Sequence, residues 1–436
     1  MANTKWTNDL LDRMRHQGDP LADRAAQLLW ENRNSKEILE ELRLISRNHH
    51  INNLKNVKPL LEYFQDTENV KVSDDEVEAF KISAKLFNNY GFRFCGLLFF
   101  KALPTGYMCP KPGHVLESTK LLVNYAARRV METAQFVFAV NNANWYKPGN
   151  AGLESIQRVR LMHAGMRMAL LNDSRPDKKW NMDLGVPINQ EDLCLTNHLF
   201  SLAMIDGLDQ MGVHLNEDER NAIFITWQRI GQSMGISPEL YASTMEDGMD
   251  QFQTILKRQS SAENPDGPIL TKALLESMNE LLRTNISLEK LEDLTTYFLN
   301  DKRSWKSLGM HKPTIFDRIF DAIVHFLTSL KIWQRIFNHN NSSIKGGWFT
   351  RIINYFLAKR FNLQEHLSRY PKTNLLESIT KIILVELSKK DLQNPNQPGS
   401  GDLDTLIPGK KFFMSDELYK EWDLGSYEMD VNPKDL

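Results

Sequence analysis

The sequence is poor in cysteine and lacks several short motifs that mark common metal-binding and nucleotide-binding proteins. Its three cysteines, Cys95, Cys109 and Cys194, lie far apart and form no CxxC pair, so neither a structural zinc site nor a disulfide framework is expected. The motifs GxGxxG, GxxxxGK(S/T), HExxH and ExxH do not occur in the 436 residues. Their absence argues against the usual nucleotide-binding loops, zinc proteases and carboxylate di-iron proteins.

Charge and hydropathy argue against two further classes. The formal net charge is −2 and the pI is about 6.6, which argues against a general nucleic-acid-binding protein. No run of 18 uncharged apolar residues occurs, so no membrane-spanning helix is predicted. The N-terminal residues are polar and show no signal-peptide pattern, so we expect a cytoplasmic location in a reducing compartment.

Helix signals are frequent along the chain. Ser73 begins a capping box, and the helix that follows is expected to end at Gly91. Asn216 is the expected N-cap of another helix, with Gly235 just past its end. Ser237, followed by a proline, is the expected N-cap of the next one.

Strand-like alternation is scarce, so the fold class is predicted to be all-α. The run FRFCGLLFF at 92–100 reads as a strand, but a buried helix fits it equally well, because short apolar runs do not distinguish the two. From about residue 390 the chain is rich in proline, glycine and aspartate, which is typical of an extended arm.

The segment RVRLMHAGMR at 158–167 concentrates charge on a helix that otherwise reads as buried. Its arginines and histidine are Arg158, Arg160, His163 and Arg167. Buried charges are costly unless they are paired, so these side chains need partners. The helix is expected to end near Asn172, and a second helix begins after Asn189, its probable N-cap. Two helices joined in this way usually pack antiparallel.

Two histidines lie at the same depth in this predicted hairpin. His163 lies nine residues before Asn172, and His198 lies nine residues after Asn189. Each is therefore about 13 Å from its helix end, at about 1.5 Å per residue. In an antiparallel pair the two imidazoles sit at similar height.

These residue types suit haem, but they also suit an ordinary core. Arg160, His163 and Arg167 share one face of the first helix, while the face of His198 is largely apolar. Imidazole can ligate the iron, and the arginines can bind the propionates. The alternative is that the histidines are hydrogen-bonded core residues and that the arginines pair with acids such as Glu154 or Glu191.

The two helical segments read VRLMHAGMR at 159–167 and VPINQEDLCLTNHLFSLAMIDGL at 186–208. Together with segments at 18–29, 103–122, 131–140 and 218–236, they resemble the family of the rubber oxygenases (latex clearing proteins) and the endoplasmic-reticulum-bound oxygenase of mycophenolic acid biosynthesis. The resemblance covers roughly residues 15–255 and depends on the order and spacing of these segments.

The resemblance implies an all-helical domain with a globin-like core that binds haem b. It assigns the proximal iron ligand to His198 and the essential arginine of the family to Arg160. The rubber enzymes carry a distal lysine followed by threonine, which are His163 and Ala164 here. His163 therefore either ligates iron or hydrogen-bonds bound dioxygen, and the mechanism is expected to differ from that of the rubber enzymes at this position. Because the export signal of the secreted relatives is missing, an extracellular polymer is not the expected substrate.

We therefore expect a haem b-dependent, oxygenase-like oxidoreductase that uses dioxygen on an apolar, isoprenoid-like substrate, with Arg160 and His163 as catalytic residues. Two alternatives stay open. One is a haem carrier or sensor without turnover, in which both His163 and His198 ligate iron. The other is a helical interaction protein that has kept the fold and lost the cofactor.

The chain is predicted to have three parts. A haem-binding helical domain spans 15–255, an additional helical region spans 256–389, and an extended arm spans 390–436. The segments 314–337 and 348–361 are strongly amphipathic. We expect them to pack on the domain, with a peripheral membrane contact or a homodimer contact as the alternatives.

Overall fold

A computed structural model describes residues 5–31, 60–118, 121–124, 126–172, 179–282, 286–301 and 303–311. Every regular element in these ranges is helical, which confirms the all-α prediction. The α-helices are α1 (Asn8–Arg15), α2 (Pro20–Glu31), α3 (Leu61–Glu68), α4 (Asp74–Leu97), α5 (Leu103–Tyr107), α6 (Pro110–Ser118), α7 (Leu121–Asn124), α8 (Ala126–Val140), α9 (Ala151–Leu171), α10 (Gln190–Phe200), α11 (Leu202–Gln210), α12 (Glu217–Ser233), α13 (Met245–Gln259), α14 (Gly267–Leu282), α15 (Leu288–Leu299) and α16 (Ser304–Ser307). A π-helical turn spans Leu98–Ala102, and 3-10 turns span Met182–Leu184 and Pro238–Leu240.

Capping boxes begin the two helices α4 and α12, which pack together more extensively than any other pair in the described ranges. The Glu76 amide donates to the Ser73 hydroxyl at 3.3 Å, and the Ser73 amide donates to the Glu76 carboxylate at 2.8 Å. Asn216 and Glu219 form the same reciprocal pair at 2.9 and 3.0 Å. Each box satisfies amides that have no partner inside the helix, so local sequence fixes where both helices start.

In the α4 region one predicted boundary differs from the structure, and one open alternative is decided. The helix does not end at Gly91; it bends at Tyr90, whose backbone angles are not helical, and continues to Leu97. The 92–100 run is the last part of α4 plus the start of the π-helical turn, so it is a buried helix and not a strand. Its buried side chains include Phe94, Leu97 and Leu98, and this burial explains why its apolar character lacks a helical period.

Two further boundaries also differ. Ser237 precedes only a 3-10 turn, and α13 begins later, where the Thr244 hydroxyl accepts from the Asp247 amide at 3.1 Å. The helix that starts after Asn189 is interrupted at Ser201, which separates α10 from α11 before the left-handed Gly212. The predicted C-terminal end of α9 at Asn172 and the predicted start of α10 after Asn189 are confirmed.

The two central helices have different main neighbours. Helix α9 packs chiefly against α2 and α8, whereas α10 packs against α1, α12 and α13. Most of the buried apolar side chains join in one core around α4, α10, α11 and α12. The prediction that these two helices pack antiparallel on each other is therefore wrong for the described residues: Leu161 and Ala164 beside His163 belong to a separate core with α2 and α3, because the acids that pair with the arginines of α9 lie at the start of α2.

The described part of the C-terminal region contains α14, α15 and α16, and α14 packs against α8. The amphipathic segments 314–337 and 348–361 and the arm 390–436 lie outside the described residues, so the three-part division of the chain stays a prediction. None of the described helices combines the length and apolar character needed to cross a membrane.

Candidate functional site

Arg160 of α9 is neutralised by an aspartate at the start of α2. Its Nε and Nη2 donate to the two carboxylate oxygens of Asp19 at 2.5 and 2.8 Å, and its Nη1 donates to the Ser233 carbonyl at 3.2 Å. The guanidinium also lies 5.9 Å from the ring centroid of Tyr63. Burial works to lower the pKa of Arg160, but the hydrogen bonds and charge of Asp19 outweigh it and raise the pKa. The guanidinium of Arg160 is therefore permanently charged, and Asp19 fixes its position.

Arg167 repeats this arrangement two turns further along α9. Its Nε donates to Asp23 at 2.7 Å, and its Nη1 donates to the Ile188 carbonyl at 2.8 Å. Burial raises the pKa of Asp23, and the charge of Arg167 opposes that rise. Both buried arginines thus find their partners on α2. Arg158, the third arginine of the segment, is half-buried.

Glu191, one of the acids considered as a partner for these arginines, belongs to a separate buried cluster. Its carboxylate accepts from Arg15 at 2.8 Å and from Arg258 at 2.6 Å, and Asp192 accepts from Arg15 at 2.7 Å. This cluster ties the start of α10 to α1 and α13. Removing one member of a buried ion pair costs about 3–5 kcal/mol, because the remaining charge stays buried without a partner. The cluster is the scaffold that positions α10.

His198 lies in the last turn of α10 and is 4% exposed. Its Nε2 is 2.8 Å from Oε1 of Gln251 on α13, and its ring lies 5.8 Å from the ring of Phe252. Its Nδ1 has no hydrogen-bond partner among the described residues. Burial lowers the pKa of His198 to about 4, so the ring is neutral at pH 7. A neutral imidazole with a free nitrogen is the form that ligates a metal ion.

A narrow cavity lies beside His198, between α10, α12 and α13. Its lining includes Cys194, Asn197, Ser201, Phe224, Gln228 and Tyr241. As packed in the structure, it has room for groups of about the size of water. Arg160 lies close to one edge of this cavity. Ile236 lines the cavity, and a Cβ added at the residue before it, Gly235, would lie 2.7 Å from Nε of Arg160.

His163 has surroundings of its own. It is partly exposed and is not among the described residues that line the His198 cavity. Burial lowers the pKa of His163 to about 4, and the charges of Arg167 and of Arg129 on α8 lower it further. The structure thus brings Arg160 to the edge of the His198 cavity and places His163 near the arginine of α8.

A second cavity, between α4, α8, α11 and α12, is almost entirely apolar. Its lining includes Phe87, Phe94, Leu98, Val137, Met204 and Trp227. Burial raises the pKa of the thiol of Cys95 in its wall to about 12, so that side chain is uncharged. Such a surface suits an apolar chain better than a polar ligand.

Two other features have simpler explanations than catalysis. Residues 231–235 read GQSMG and match the serine hydrolase motif GxSxG, but Ser233 ends α12 and does not stand on a strand-to-helix turn. His114, Glu117 and Asp266 bring potential metal ligands within 4.8 Å of one another. The 3.0 Å contact between His114 and Asp266, with Trp180 packed on the imidazole, accounts for the position of the histidine.

Sequence reasoning did not find Asp19, Asp23 or Gln251. The two aspartates stand four residues apart in GDPLAD, where acids at a helix start are expected for the helix dipole alone. Gln251 stands on an amphipathic helix with no local signal. In each case the partner lies far along the chain, and only the tertiary fold brings the two together.

Comparison with known proteins identifies a family for this chain. The family model described as "ER-bound oxygenase mpaB/B'/Rubber oxygenase, catalytic domain" matches residues 95–328, more than half of the chain. The rubber oxygenase of Streptomyces sp. (strain K30) is 26% identical over 156 residues, which are 35% of this chain and 37% of that protein. The chain thus matches little more than a third of the length of this curated relative.

A solved structure of latex clearing protein LCP in the closed state has a similar fold. It superposes with a TM-score of 0.57 at 17% identity and covers 73% of this chain and 84% of that one. The likeness shows the fold, and the family model shows the relationship. The chain belongs to the family of the ER-bound oxygenases mpaB/B′ and the rubber oxygenases.

Proposed function

We propose that this protein is a haem b-dependent oxygenase that acts on an apolar, isoprenoid-like substrate. The observation that carries the proposal is His198, a buried neutral imidazole with one nitrogen held by Gln251 and the other without a partner. Family membership supplies the reaction class, oxygenation, and the rubber relative supports an isoprenoid substrate.

The donor set fits haem on the His198 side. A histidine that binds iron needs a lone pair, a neutral ring and a fixed orientation, and His198 has all three. The water-sized cavity means that lining side chains must move apart to admit a porphyrin. When bound, haem would supply the iron at which dioxygen is activated for cleavage of a C=C bond.

The residues of the protein would bind and orient the haem and the substrate, and they would exclude water. Arg160, charged and held by Asp19, would orient a propionate or polarise bound oxygen from a fixed position. His163, neutral at pH 7, does not line the His198 cavity, so its role as a second contact to dioxygen or the iron rests on the family resemblance alone. The apolar cavity beside Trp227 is no larger than a water molecule as packed, so its side chains would have to move apart before it could hold a substrate chain away from water.

The first test is the optical spectrum of the purified protein and of two variants. We expect a Soret band and about one haem per chain in the wild type, and loss of haem in His198→Ala. His214→Ala is the matched control, because His214 is exposed. His163→Ala is expected to keep most of the haem and to change its ligation or oxygen reactivity.

The outcomes also separate the alternatives. An open-site spectrum, with oxygen uptake on addition of a short polyisoprene oligomer, supports the oxygenase. A six-coordinate bis-histidine spectrum without turnover supports a carrier or sensor that uses His163 and His198. No iron, and no haem uptake on reconstitution, contradicts haem binding and leaves the interaction protein.

Dioxygen and the apolar substrate are the partners implied by this proposal. A membrane or homodimer contact through 314–361 and a cytoplasmic location stay predictions. Liposome flotation and the oligomeric state of the full chain test the two contacts.

A further inference from the structure

Three potential metal ligands from two helices lie together at the start of α14. His114 and Glu117 stand three residues apart on α6, and Asp266 immediately precedes α14. Residues three apart share one face of a helix, so the two side chains of α6 lie on the same side. One donor atom from each of the three residues lies within 4.8 Å of the other two. The cluster therefore offers one imidazole nitrogen and two carboxylate oxygens to a single point.

The backbone around Asp266 is fixed independently of the cluster. Asp266 is 8% exposed, and its carbonyl accepts from the Leu270 amide at 3.0 Å in the first turn of α14. Two residues earlier, the Asn264 side chain accepts from the Gly267 amide at 2.9 Å and donates to the Tyr107 carbonyl at 2.6 Å. These bonds join the start of α14 to the end of α5, so the carboxylate of Asp266 is held in place before any ion binds.

The imidazole of His114 is also held. Its Nδ1 lies 3.0 Å from Oδ2 of Asp266, and its ring lies 5.6 Å from the ring of Trp180. An ion between Nδ1 and Oδ2 would take the place of the hydrogen that these two atoms share. The neutral imidazole would then carry its hydrogen on Nε2, and either ring nitrogen of a neutral imidazole can ligate an ion.

Charge and distance both suit a divalent cation. Two carboxylates that lie close together repel each other, and the charge of a divalent ion offsets both. Ligand atoms around a tetrahedral zinc ion are about 3.4 Å apart, so atoms within 4.8 Å have to move together by at most about 1.4 Å. His114 and Glu117 are only half-buried, so their side chains can make this movement.

We propose that His114, Glu117 and Asp266 bind a Zn²⁺ ion that ties α14 to α6. Zinc accepts imidazole nitrogen together with carboxylate oxygen, and water would complete its coordination. No cysteine takes part, so the lack of a CxxC pair does not bear on this site. The three residues do not line the His198 cavity, and the proposal does not depend on haem or on the proposed function.

The test uses the full chain, treated with a chelator and then titrated with Zn²⁺ alone in a calorimeter. We expect one bound ion per chain and a higher urea midpoint with Zn²⁺, because an ion that binds only the folded chain stabilises it. In His114→Gln and in Glu117→Gln the affinity should fall by at least about 10–100-fold, since the loss of an outer-shell partner alone has that effect. His214→Gln is the matched control, because His214 is exposed and lies outside the cluster.

A second measurement places the ion. Co²⁺, which occupies zinc sites, quenches the fluorescence of a nearby tryptophan, and Trp180 packs on His114. Among the nine tryptophans of the chain, Trp180 should account for the quenching that saturates with the first equivalent. Trp180→Phe should therefore bind Zn²⁺ as the wild type does and lose this quenching step.

The outcomes are distinct. If the wild type binds no Zn²⁺, or if His114→Gln and Glu117→Gln keep the wild-type affinity, the proposal is overturned. Mg²⁺, which takes oxygen ligands, should bind much more weakly than Zn²⁺. Equal affinity for the two ions would show that the imidazole takes no part, and it would contradict the site.

Discussion

Single residues decide how the Arg160 ion pair is held. Gly235 adopts a φ of +88°, and a Cβ there would lie 2.4 Å from Oδ2 of Asp19 and 2.7 Å from Nε of Arg160. The residue therefore meets two demands, a left-handed backbone and space for the ion pair. Glycine is the residue that meets both without strain.

Two glycine variants separate these demands. Gly149 also has a positive φ, +78°, but a Cβ there would contact nothing within 4 Å. Gly149→Ala should cost about 1–2 kcal/mol of unfolding free energy from backbone strain alone. Gly235→Ala should cost about 2 kcal/mol more, because it also displaces a buried ion pair whose full loss costs about 3–5 kcal/mol.

Urea unfolding of both variants measures the difference. Gly96→Ala is the control, because Gly96 lies in α4 with no positive φ and open space around its Cβ position. It should raise the stability by about 0.5–1 kcal/mol, as alanine does in a helix. Equal losses in Gly149→Ala and Gly235→Ala would show that the Arg160–Asp19 pair is insensitive to this close approach.

At the scale of elements, N-cap side chains determine where the helices start, and a substitution at one N-cap tests this. Asn216→Ala removes the acceptor for the Glu219 amide at the start of α12. We expect a loss of about 0.5–2 kcal/mol in unfolding free energy, measured by urea denaturation. Asn216→Ser keeps a capping oxygen and should lose less than half of that. If both variants lose equally, the effect comes from packing against α4 and not from the cap.

Local signals also explain how much of the architecture could be predicted. The starts at Ser73, Asn189 and Asn216 were predicted, because each cap is completed within three residues of sequence. At Gly91 a helix end was predicted where the structure has a bend at Tyr90, and the break at Ser201 was not predicted, because no cap or glycine marks it in the sequence. In the site, the predicted histidines and arginines could be recognised by type and spacing. Their partners Asp19 and Gln251 could not, because they lie 141 and 53 residues away.

At the scale of the whole molecule, two histidines with lowered pKa values predict that stability falls in mild acid. The pKa values of His198 and His163 are lowered from 6.5 to about 4 in the folded chain. Between these values the unfolded state binds the proton and the folded state does not. Stability is thus full above pH 6.5 and is lost as the pH falls toward 4, by about 3 kcal/mol for His198.

The difference between wild type and His198→Gln isolates this contribution. Urea midpoints of the haem-free proteins at pH 7, 5.5 and 4.5 should fall more steeply for the wild type than for the variant, because an imidazole bound to iron would not take up the proton. The pKa shift of His311 has the opposite sign, because Glu292 and Asp293 overcome the effect of burial and raise its pKa. Its contribution to stability is present below pH 6.5 and is lost as the pH rises through the raised pKa. The variant His311→Gln should therefore not reduce the fall of the urea midpoint between pH 7 and 4.5. A wild-type curve parallel to that of His198→Gln would contradict the buried, neutral state of His198.

The ion pair between Arg160 and Asp19 also has a consequence for the order in which the chain is completed. During synthesis the N-terminal helices leave the ribosome first, but their partners come much later: Arg160, then Tyr241 for Lys5, then Arg258 for Asp12. Helices α1 and α2 therefore cannot complete these contacts, and Asp19 and Asp23 stay hydrated, until most of the described chain has emerged. The contacts that join α1 and α2 to the rest of the candidate site therefore cannot all form until the residues up to Arg258 have been made.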